Sequence, residues 1–483
     1  MAQNTKLERV SVFAYHPCME RLSGLDASFL YLESSAQLMH VCGIILLDPS
    51  TIPGGYSFAD MKAVLEARVA TIPNFRRKLK EVPLEIDHPL WVDDEDFDID
   101  RHVHRLGVPA PGGEEELREV CGHLAGIPLD RSRPLWEMWV IEGLKSGQIA
   151  VFTKMHHASV DGVSGANLIS YLCSLEPNAP LLDLAPKGET PPPPPGDWEL
   201  FGRGLVNNLA KPVKFFRLLP ATTSLVTKTV GRARSGTAMA APLTAPRTSF
   251  NGNIGGRRTV GYADISLDTI KEIRHHVEGA TVNDVVLAIS GGALRRYLAD
   301  RGELPESSLL ASVPVSVHQT STKARGTNKV SSLFAKLGTD IEDPVERLHQ
   351  LAEDNAHAKD HHNAISADTL QDWAEFAAPR TFGLAVRAVA KLRLAEKGPV
   401  IHNLVISNVP GPPVPLYFVG ARIEGFYPLG PIFHGAGLNV TVMSNNGRMH
   451  VGLLGDRDAM PDIQDLADDF PKELEALRAA VLG

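Results

Sequence analysis

Residues 147–162, GQIAVFTKMHHASVDG, lead from an alternating segment into a histidine pair and a turn that ends in glycine. The alternation of side-chain character over 147–155 predicts a β-strand whose successive residues face opposite sides. If the alternation continues, His157 joins the more apolar face and His156 joins the face of Lys154. A histidine that points into an apolar space is well placed to accept a proton where water is scarce. We therefore predict that His157 is a general base at the end of a buried strand.

Three neighbours of His157 complete the predicted catalytic turn: His156, Asp161 and Gly162. For His156 a structural role is favoured, and Asp161 either caps a helix predicted over 162–172 or forms an ion pair that holds the turn. Gly162 permits a close approach or an unusual backbone angle. The alternative for His157 is a core histidine with satisfied hydrogen bonds. The chain's other histidine pairs, at 275–276 and 361–362, lack the Asp-Gly step and predict no site.

The bulk composition is that of an ordinary globular protein, with 43% of the residues hydrophobic and 22% charged. A length of 483 residues exceeds what one hydrophobic core usually supports and predicts two domains. The formal net charge of −9 argues against nucleic acid as a partner, and no RNA- or DNA-binding motif stands out.

The four cysteines, Cys18, Cys42, Cys121 and Cys173, form no CxxC pair, which favours reduced thiols over a disulfide framework or a zinc site. No histidine pattern has metal-ligand spacing, so no metal site is predicted. The N-terminus lacks a basic-then-apolar signal segment, and no stretch approaches the length of a bilayer span. A cytoplasmic protein is therefore expected; if its substrates are lipids, it must meet them at a surface or carry them in a tunnel.

Helix and strand patterns alternate through both halves of the chain, which predicts a two-layer α/β architecture. The dipeptide at 446–447, Asn-Gly, predicts a tight hairpin turn between the last two strands. The predicted strands are 39–47, 135–144, 148–157, 309–317, 330–337, 404–407, 418–426, 438–444 and 448–454, and the predicted helices are 57–69, 114–124, 162–172, 281–300, 342–360, 379–394 and 472–482.

A proline-rich and basic segment separates the halves and predicts a domain over 1–185, a linker over 186–258 and a second domain over 259–483. Five consecutive prolines, 191–195, are typical of a stiff spacer. Residues 200–262 contain no Asp or Glu and ten basic residues, with apolar residues interleaved among the first of them. Such a segment either lies on an anionic membrane or lipid-body surface or forms a solvated linker, and both interpretations stay open.

The sequence HHASVDG resembles the HHxxxDG signature of the CoA-dependent acyltransferase superfamily, which includes chloramphenicol acetyltransferase and nonribosomal-peptide condensation domains. Four further segments narrow the resemblance: GLD at 24–26, PLW at 134–136, ND at 283–284 and SNVPGP at 407–412. In this order they resemble the bacterial wax ester synthase/diacylglycerol acyltransferase family, of the triacylglycerol synthase type. The resemblance runs from Leu22 to about Gly455. The prolines and glycine of the last segment are interpreted as architectural.

The resemblance implies two chloramphenicol-acetyltransferase-like α/β domains with a substrate tunnel between them and the HHxxxDG turn at its middle. It also implies an enzyme that transfers an acyl group from long-chain acyl-CoA to diacylglycerol or a fatty alcohol. Acyl-CoA would be a co-substrate, and no cofactor is expected. The products would be triacylglycerol, wax esters or both.

Several further residues acquire expected roles from the resemblance. Asn283 is the candidate hydrogen-bond donor to the tetrahedral intermediate, with a helix-start residue as the alternative. Pro134, Leu135 and Trp136 are expected to line the substrate channel, with a buried strand as the alternative. Asp284 is grouped with these substrate-binding residues, although its position favours a structural role.

The chain lacks the motifs of several other catalytic sites. It has no GxSxG elbow, no GxxxxGK[ST] phosphate loop and no GxGxxG that opens a helix. A base without a protein nucleophile predicts direct transfer, in which His157 takes the proton of a substrate hydroxyl and later protonates the departing thiolate. With an ordinary imidazole, activity would decline as the pH falls through roughly 6–7. Two alternatives remain open: a condensation-type acyltransferase with a carrier-bound donor, and a non-catalytic lipid-body surface protein.

Overall fold

A computed structural model describes residues 20–70, 72–159, 172–177, 195–207, 243–316, 330–363, 388 and 391–483. Within these ranges helices cover two large β-sheets, one built mainly from the first half of the chain and one from the second. The predicted α/β class is confirmed. The helix predicted over 162–172, nearly all of the helix predicted over 379–394, Cys18 and residues 191–194 lie outside the described residues.

The first half of the chain contributes eight of the described strands and three of the described helices. In chain order these are β1 (Glu20–Arg21), α1 (Gly24–Leu32), β2 (His40–Asp48), α2 (Phe58–Val69), β3 (Arg77–Lys80), β4 (Leu90–Asp93), β5 (Val103–Gly107), α3 (Glu114–Ala125), β6 (Trp136–Glu142), β7 (Ile149–His156) and β8 (Cys173–Ser174). A short 3-10 turn, His157–Ser159, follows β7 directly.

The second half contributes the remaining described elements. They are β9 (Arg258–Ser266), α4 (Leu267–His276), α5 (Val282–Asp300), β10 (Leu310–Ser316), β11 (Val330–Lys336), α6 (Pro344–Asn363), α7 (Leu394–Lys397), β12 (Leu404–Val409), β13 (Tyr417–Phe418), β14 (Ala421–Leu429), β15 (Leu438–Asn445), β16 (Arg448–Asp456) and α8 (Ile463–Leu482).

The first sheet takes two strands from the far half of the chain. Its order, as far as the structure describes it, is β5-β6-β7-β2-β14-β13-β8, and β14 pairs antiparallel with β2. The sequence predicts one strand over 418–426, but Val419 and Gly420 both have positive φ and divide it into β13 and β14. Neither the division nor the sheet that receives these strands follows from periodicity, because pairing across the chain depends on long-range contacts. The domain boundaries drawn from the sequence stay a prediction.

The second sheet has the order β11-β10-β12-β15-β16-β9 among the described strands. Strands β10, β12 and β15 run parallel, whereas β15 and β16 form the antiparallel hairpin predicted from the Asn-Gly dipeptide. Asn446 and Gly447 have φ of 45° and 79°, as a type I′ turn requires. A small sheet, β1-β4-β3, lies beside these two in the part of the chain covered.

Helix ends follow their caps, with one difference from prediction. Ser57 and Thr281 cap α2 and α5 through side-chain oxygens that accept main-chain N–H groups. The last helix begins at Ile463 rather than at residue 472, and it includes Pro471. A proline inside a helix costs about 3 kcal/mol, which favours a start after it. Burial of Ile463, Phe470 and Leu477 along one face offsets that cost and keeps α8 continuous.

Three layers of apolar side chains connect the sheets to their helices. In the second half, α5 is buried among α4, α6, α8 and the sheet. In the first half, α2 covers one face of the sheet, while α3 covers the other together with β9 and β16 of the second half. At this shared layer the rings of Tyr262 and Tyr427 stack with centroids 4.4 Å apart. The motif strand β7 lies in this sheet, so the turn after it is near the junction of the two halves.

Candidate active site

The end of strand β7 is held by main-chain bonds on both sides. All residues of β7 are buried. The His156 N–H donates to the carbonyl of Leu135 at 2.9 Å, and the His157 N–H donates to the carbonyl of Met39 at 2.8 Å. The residues just before β2 and β6 therefore fix where the 3-10 turn begins, which sets the position of the His157 ring.

His156 is tied to a carboxylate that the sequence did not indicate. Its Nε2 lies 2.6 Å from Glu33 Oε2, and its Nδ1 accepts the Ala158 N–H at 3.0 Å. Because Nδ1 accepts, Nε2 carries the proton and donates to Glu33. Arg131 approaches the same carboxylate at 3.3 Å. This arrangement agrees with the structural role favoured for His156.

The charges of this pair follow from burial. Burial lowers the pKa of His156 against the opposing effect of Glu33, so the imidazole is neutral near pH 7. For Glu33, burial alone would raise the pKa, but the hydrogen bond from His156 and the positive charge of Arg131 hold it well below its usual range. The result is an ionised carboxylate that receives an N–H from a neutral imidazole.

The ring of His157 is desolvated without being sealed off. It stacks on Phe29 with centroids 4.0 Å apart and planes inclined by 28°. Burial is the main cause that lowers the pKa of His157, to about 4. Its Nδ1 is buried, and no described residue bonds to it. The residue as a whole is only partly buried, and its imidazole is neutral near pH 7, as a proton acceptor must be.

A polar pocket reaches the turn immediately after His157. Its wall includes Ser23, Asp26, Asn74, Arg77, Ala158 and Ser159. The Asn74 amide donates to the Ser159 carbonyl at 3.3 Å, and the Ser159 hydroxyl donates to the His156 carbonyl at 2.7 Å. The turn therefore forms one wall of a cleft, which allows a ligand to approach it.

The PLW segment is packed against protein. Trp136 is 1% exposed, donates from Nε1 to the Phe75 carbonyl at 2.9 Å and stacks on His102 at 4.6 Å. Leu135 is also buried and supplies the carbonyl that holds His156, and Pro134 is buried beside it. These contacts fit the structural alternative, so contact of the three residues with substrate stays a prediction.

Asn283 and Asp284 occupy the first turn of α5 but have different surroundings. Asp284 is buried, accepts from the Thr281 N–H and hydroxyl at 2.9 and 2.6 Å, and accepts from Asn355 at 2.8 Å. Its carboxylate is thus fully used in capping and packing. Asn283 is half-buried, and its Oδ1 faces Asn408 Nδ2 at 3.5 Å, a long contact. The structure thereby brings SNVPGP, interpreted as architectural, to the ND segment.

Asp161 and Gly162 lie outside the described residues, so their interpretation stays a prediction. Sequence reasoning missed Glu33, Phe29 and Asn408. Only Asn408 had a signal, because it lies within a segment that supports the resemblance; Glu33 and Phe29 reach the motif through chain folding alone. Over the described ranges, no three His, Cys, Asp or Glu side chains are grouped as metal ligands would be.

Two family models match the chain. The wax ester synthase/diacylglycerol acyltransferase catalytic domain matches residues 22–286, and the WS/DGAT C-terminal domain matches residues 326–478. A Mycobacterium tuberculosis protein named as a diacylglycerol O-acyltransferase is 46% identical over 460 residues, which cover 95% of this chain and 90% of the relative. A second protein of that name from the same species is 34% identical over 476 residues, covering 96% of this chain and 100% of the relative.

Solved structures show the same similarity. The wax ester synthase/diacylglycerol acyltransferase from Marinobacter aquaeolei VT8 superimposes with a TM-score of 0.67 at 30% identity, covering 96% of this chain and 100% of that chain. The first condensation domain of the CDA synthetase superimposes with a TM-score of 0.54 at 14% identity, covering 96% of each chain. At that identity the second similarity concerns the fold alone.

Proposed function

Because this chain belongs to the wax ester synthase/diacylglycerol acyltransferase family and is an O-acyltransferase, we propose that His157 is its general base. The donor is a long-chain acyl-CoA, and the acceptor is diacylglycerol, a fatty alcohol or both. The products are then triacylglycerol and wax esters. The observation that carries the assignment is a neutral, desolvated imidazole directly before Ala158 and Ser159, which line a cleft, with the His157 N–H held by Met39 just before β2.

The proposed reaction is a direct transfer. The acceptor oxygen attacks the thioester carbonyl carbon while its proton passes to His157, and a tetrahedral oxyanion forms. The C–S bond then breaks, and the imidazolium returns the proton to the CoA thiolate. A lowered pKa makes the neutral ring a weak base but the imidazolium a strong acid. It therefore favours proton donation to the thiolate, while the first transfer depends on close positioning of both substrates.

His156 and Glu33 are proposed to act as positioning residues. The Glu33 carboxylate fixes the Nε2–H tautomer of His156, which lets Nδ1 accept the Ala158 N–H. This bond restrains the residue that follows His157 and therefore the direction of its ring. Asp161 and Gly162 are proposed to hold the other side of the same turn.

Asn283 is proposed to donate from Nδ2 to the oxyanion. The contact from Asn408 Nδ2 places the Asn283 oxygen toward Asn408, which leaves the Asn283 amino group to face another partner. Asp284 is proposed to act only by capping α5 beneath it. Pro134, Leu135 and Trp136 are proposed to support the substrate channel.

The acyl chain would be recognised mainly by burial. Each buried methylene contributes about 0.8 kcal/mol, so a long chain binds tightly in an apolar passage. Neighbouring chain lengths differ little in binding energy, and we expect loose discrimination between them.

We further propose that the enzyme acts in the cytoplasm and reaches lipid at an anionic membrane or lipid-body surface. Support comes from the acid-free basic stretch 200–262, most of which lies outside the described residues. Among the helices that the structure covers, none is long and apolar enough to cross a bilayer.

The test is a product separation with purified protein, radiolabelled palmitoyl-CoA, diacylglycerol and hexadecanol. His157→Ala is expected to lower turnover at least about a hundredfold, because general acid–base catalysis contributes that much or more. A matched control is His402→Ala, since burial also lowers the pKa of His402 to about 4 but the residue precedes β12. Near-full activity of His157→Ala would show that His157 is not the general base. Turnover only with a carrier-bound donor would favour a condensation-type enzyme.

A further inference from the structure

An exposed apolar surface is built from two segments that are distant in sequence. Its members are Leu243, Leu392, Leu394 and Ile401, which are 54%, 59%, 45% and 53% exposed and are called here the leucine surface. Isolated exposed apolar residues are common, whereas grouped ones mark interaction sites. Most of the surface lies in or beside helix α7.

Backbone and side-chain hydrogen bonds join the two segments into one structure. The Leu243 N–H donates to the Ile401 carbonyl at 3.2 Å, and Ala245 forms an antiparallel bridge with Val400. The Arg247 guanidinium donates to the Gly398 carbonyl at 2.6 Å and to the Ala395 carbonyl at 3.1 Å. The leucines on both segments are therefore held at neighbouring positions.

The backbone of the leucine surface is strained at two residues. Leu243 and Arg393 have φ of 73° and 51°, which L-residues rarely adopt. Such conformations cost free energy and persist only where surrounding structure imposes them. The surrounding structure therefore imposes the backbone conformation at Leu243, within the leucine surface, and at Arg393 beside it.

The charges beside the leucine surface are mainly positive. Lys391, Arg393 and Lys397 are exposed, and Glu396 is the only acidic residue in 391–401. Glu396 is already paired with Arg393, whose Nε lies 2.8 Å from its carboxylate. The whole chain carries −9, so this positive surface stands out against its background. Leu243 directly follows residues 208–242, the part of the acid-free stretch that lies outside the described residues.

We propose that the leucine surface docks the enzyme onto an anionic lipid surface. The four apolar side chains enter the interface, and Lys391 and Lys397 meet lipid phosphates, while Arg393 stays paired with Glu396. This inference rests on the proposed action at a lipid surface and identifies where contact occurs. Docking through these residues would hold the enzyme where a water-insoluble acceptor is present.

The experiment is vesicle co-sedimentation without substrate, using phosphatidylcholine alone or mixed with phosphatidylglycerol, at low and high salt. Leu392→Ser/Leu394→Ser is expected to weaken binding to mixed vesicles at least about tenfold, because the two leucines would no longer be buried in the lipid interface. Lys391→Gln/Lys397→Gln is expected to lower the affinity for mixed vesicles about fivefold per charge at low salt, and by less at high salt. This second variant changes only surface lysines and keeps the test valid if the first folds poorly.

Matched controls are Leu175→Ser and Lys145→Gln, both exposed and both in the half that carries the motif. They are expected to bind vesicles like the wild type. Unchanged binding of both leucine-surface variants, or equal losses in the controls, would overturn the proposal. Altered self-association or protease sensitivity with unchanged vesicle binding would assign the surface to another chain or to residues 208–242. Turnover of detergent-dispersed substrate reports separately on the proposed chemistry.

Discussion

Two buried acid–base pairs, one in each half of the molecule, differ in what they hold. In the second half, Arg347 and Glu473 lie 2.5 Å apart, and Arg296 approaches the same carboxylate at 3.4 Å. This pair joins α5, α6 and α8, and Gly292 of α5 leaves the space that it occupies. In the first half, Glu33 pairs with the imidazole of His156 directly before the candidate base.

The two pairs differ in the charge of the basic partner and in the part of the structure that each pair holds. A guanidinium stays protonated at every working pH, so the Arg347–Glu473 pair is permanent and acts on helix packing. An imidazole in a buried site is neutral, so the Glu33–His156 pair acts through direction and tautomer. The comparison suggests that the first half uses its buried charge to orient a turn, whereas the second uses it for stability.

Breaking the pair in the second half should have the largest effect on folding. Glu473→Ala leaves Arg347 buried and without its carboxylate, and we expect a loss of about 3–5 kcal/mol in the free energy of unfolding. Urea denaturation measures it. The kcat of the folded fraction should stay near wild type, because the pair does not touch the motif turn. If Glu473→Ala lowered kcat without lowering the free energy of unfolding, this pair would act on catalysis rather than on helix packing.

Acidification should separate stability from the chemistry of the base. Burial lowers the pKa of His157 to about 4 and of His40 to about 3. Between these values and about 6.5 the unfolded chain binds protons that the folded chain does not. Stability therefore falls as the pH drops below about 6.5, and this loss continues toward about 3.

The activity profile should differ from that of an ordinary histidine. Burial keeps the His157 ring neutral to lower pH. The fall in activity that protonation of this ring would cause is therefore expected near pH 4 instead of at pH 6–7. Measured kcat/KM should therefore be retained below pH 6 as long as circular dichroism shows folded protein. A fall at pH 6–7 with the fold intact would contradict a desolvated base.

Removing the carboxylate in the first half should affect turnover more than binding. Glu33→Ala deprives the His156 N–H of its acceptor, which costs about 1–3 kcal/mol in stability. We expect kcat to fall with little change in KM, because the turn loses its orientation. Glu33→Gln should restore much of the kcat, since the amide oxygen can still accept this N–H.

A matched control for Glu33 is Glu137→Gln, which weakens the 3.3 Å pair with Lys154 in the same sheet without touching His156. Its kcat is expected to resemble that of the wild type. Equal kcat losses in Glu137→Gln and Glu33→Ala would show that general destabilisation, and not orientation, explains the effect.

The smallest effect concerns the contribution of the second half to the site. Asn408→Ala removes the long contact to Asn283 and is expected to lower kcat about fivefold, equivalent to about 1 kcal/mol. Asn445→Ala is the control, because its amide holds Pro412 and Val414 of the same loop and does not contact Asn283. If both variants lost kcat equally, loop shape would be the cause.

Local pattern predicted much of the fold. The alternation before His156 identified β7, and the ranges predicted for α2, α3 and α5 lie close to their observed bounds. These features depend on neighbours within a few residues, which a single sequence displays directly. The motif and its companion segments likewise indicated the family that the comparisons established.

Tertiary structure decided the rest, because it depends on contacts between residues that are far apart in the chain. Strand β14 joins β2 across the two halves, Glu33 reaches His156 from the end of α1, and Asn408 reaches Asn283. The charge state of His157 also depends on tertiary structure, because every segment that packs around the ring contributes to its desolvation. Sequence alone predicted His157 as the base; only the fold determined the surroundings that make its ring neutral.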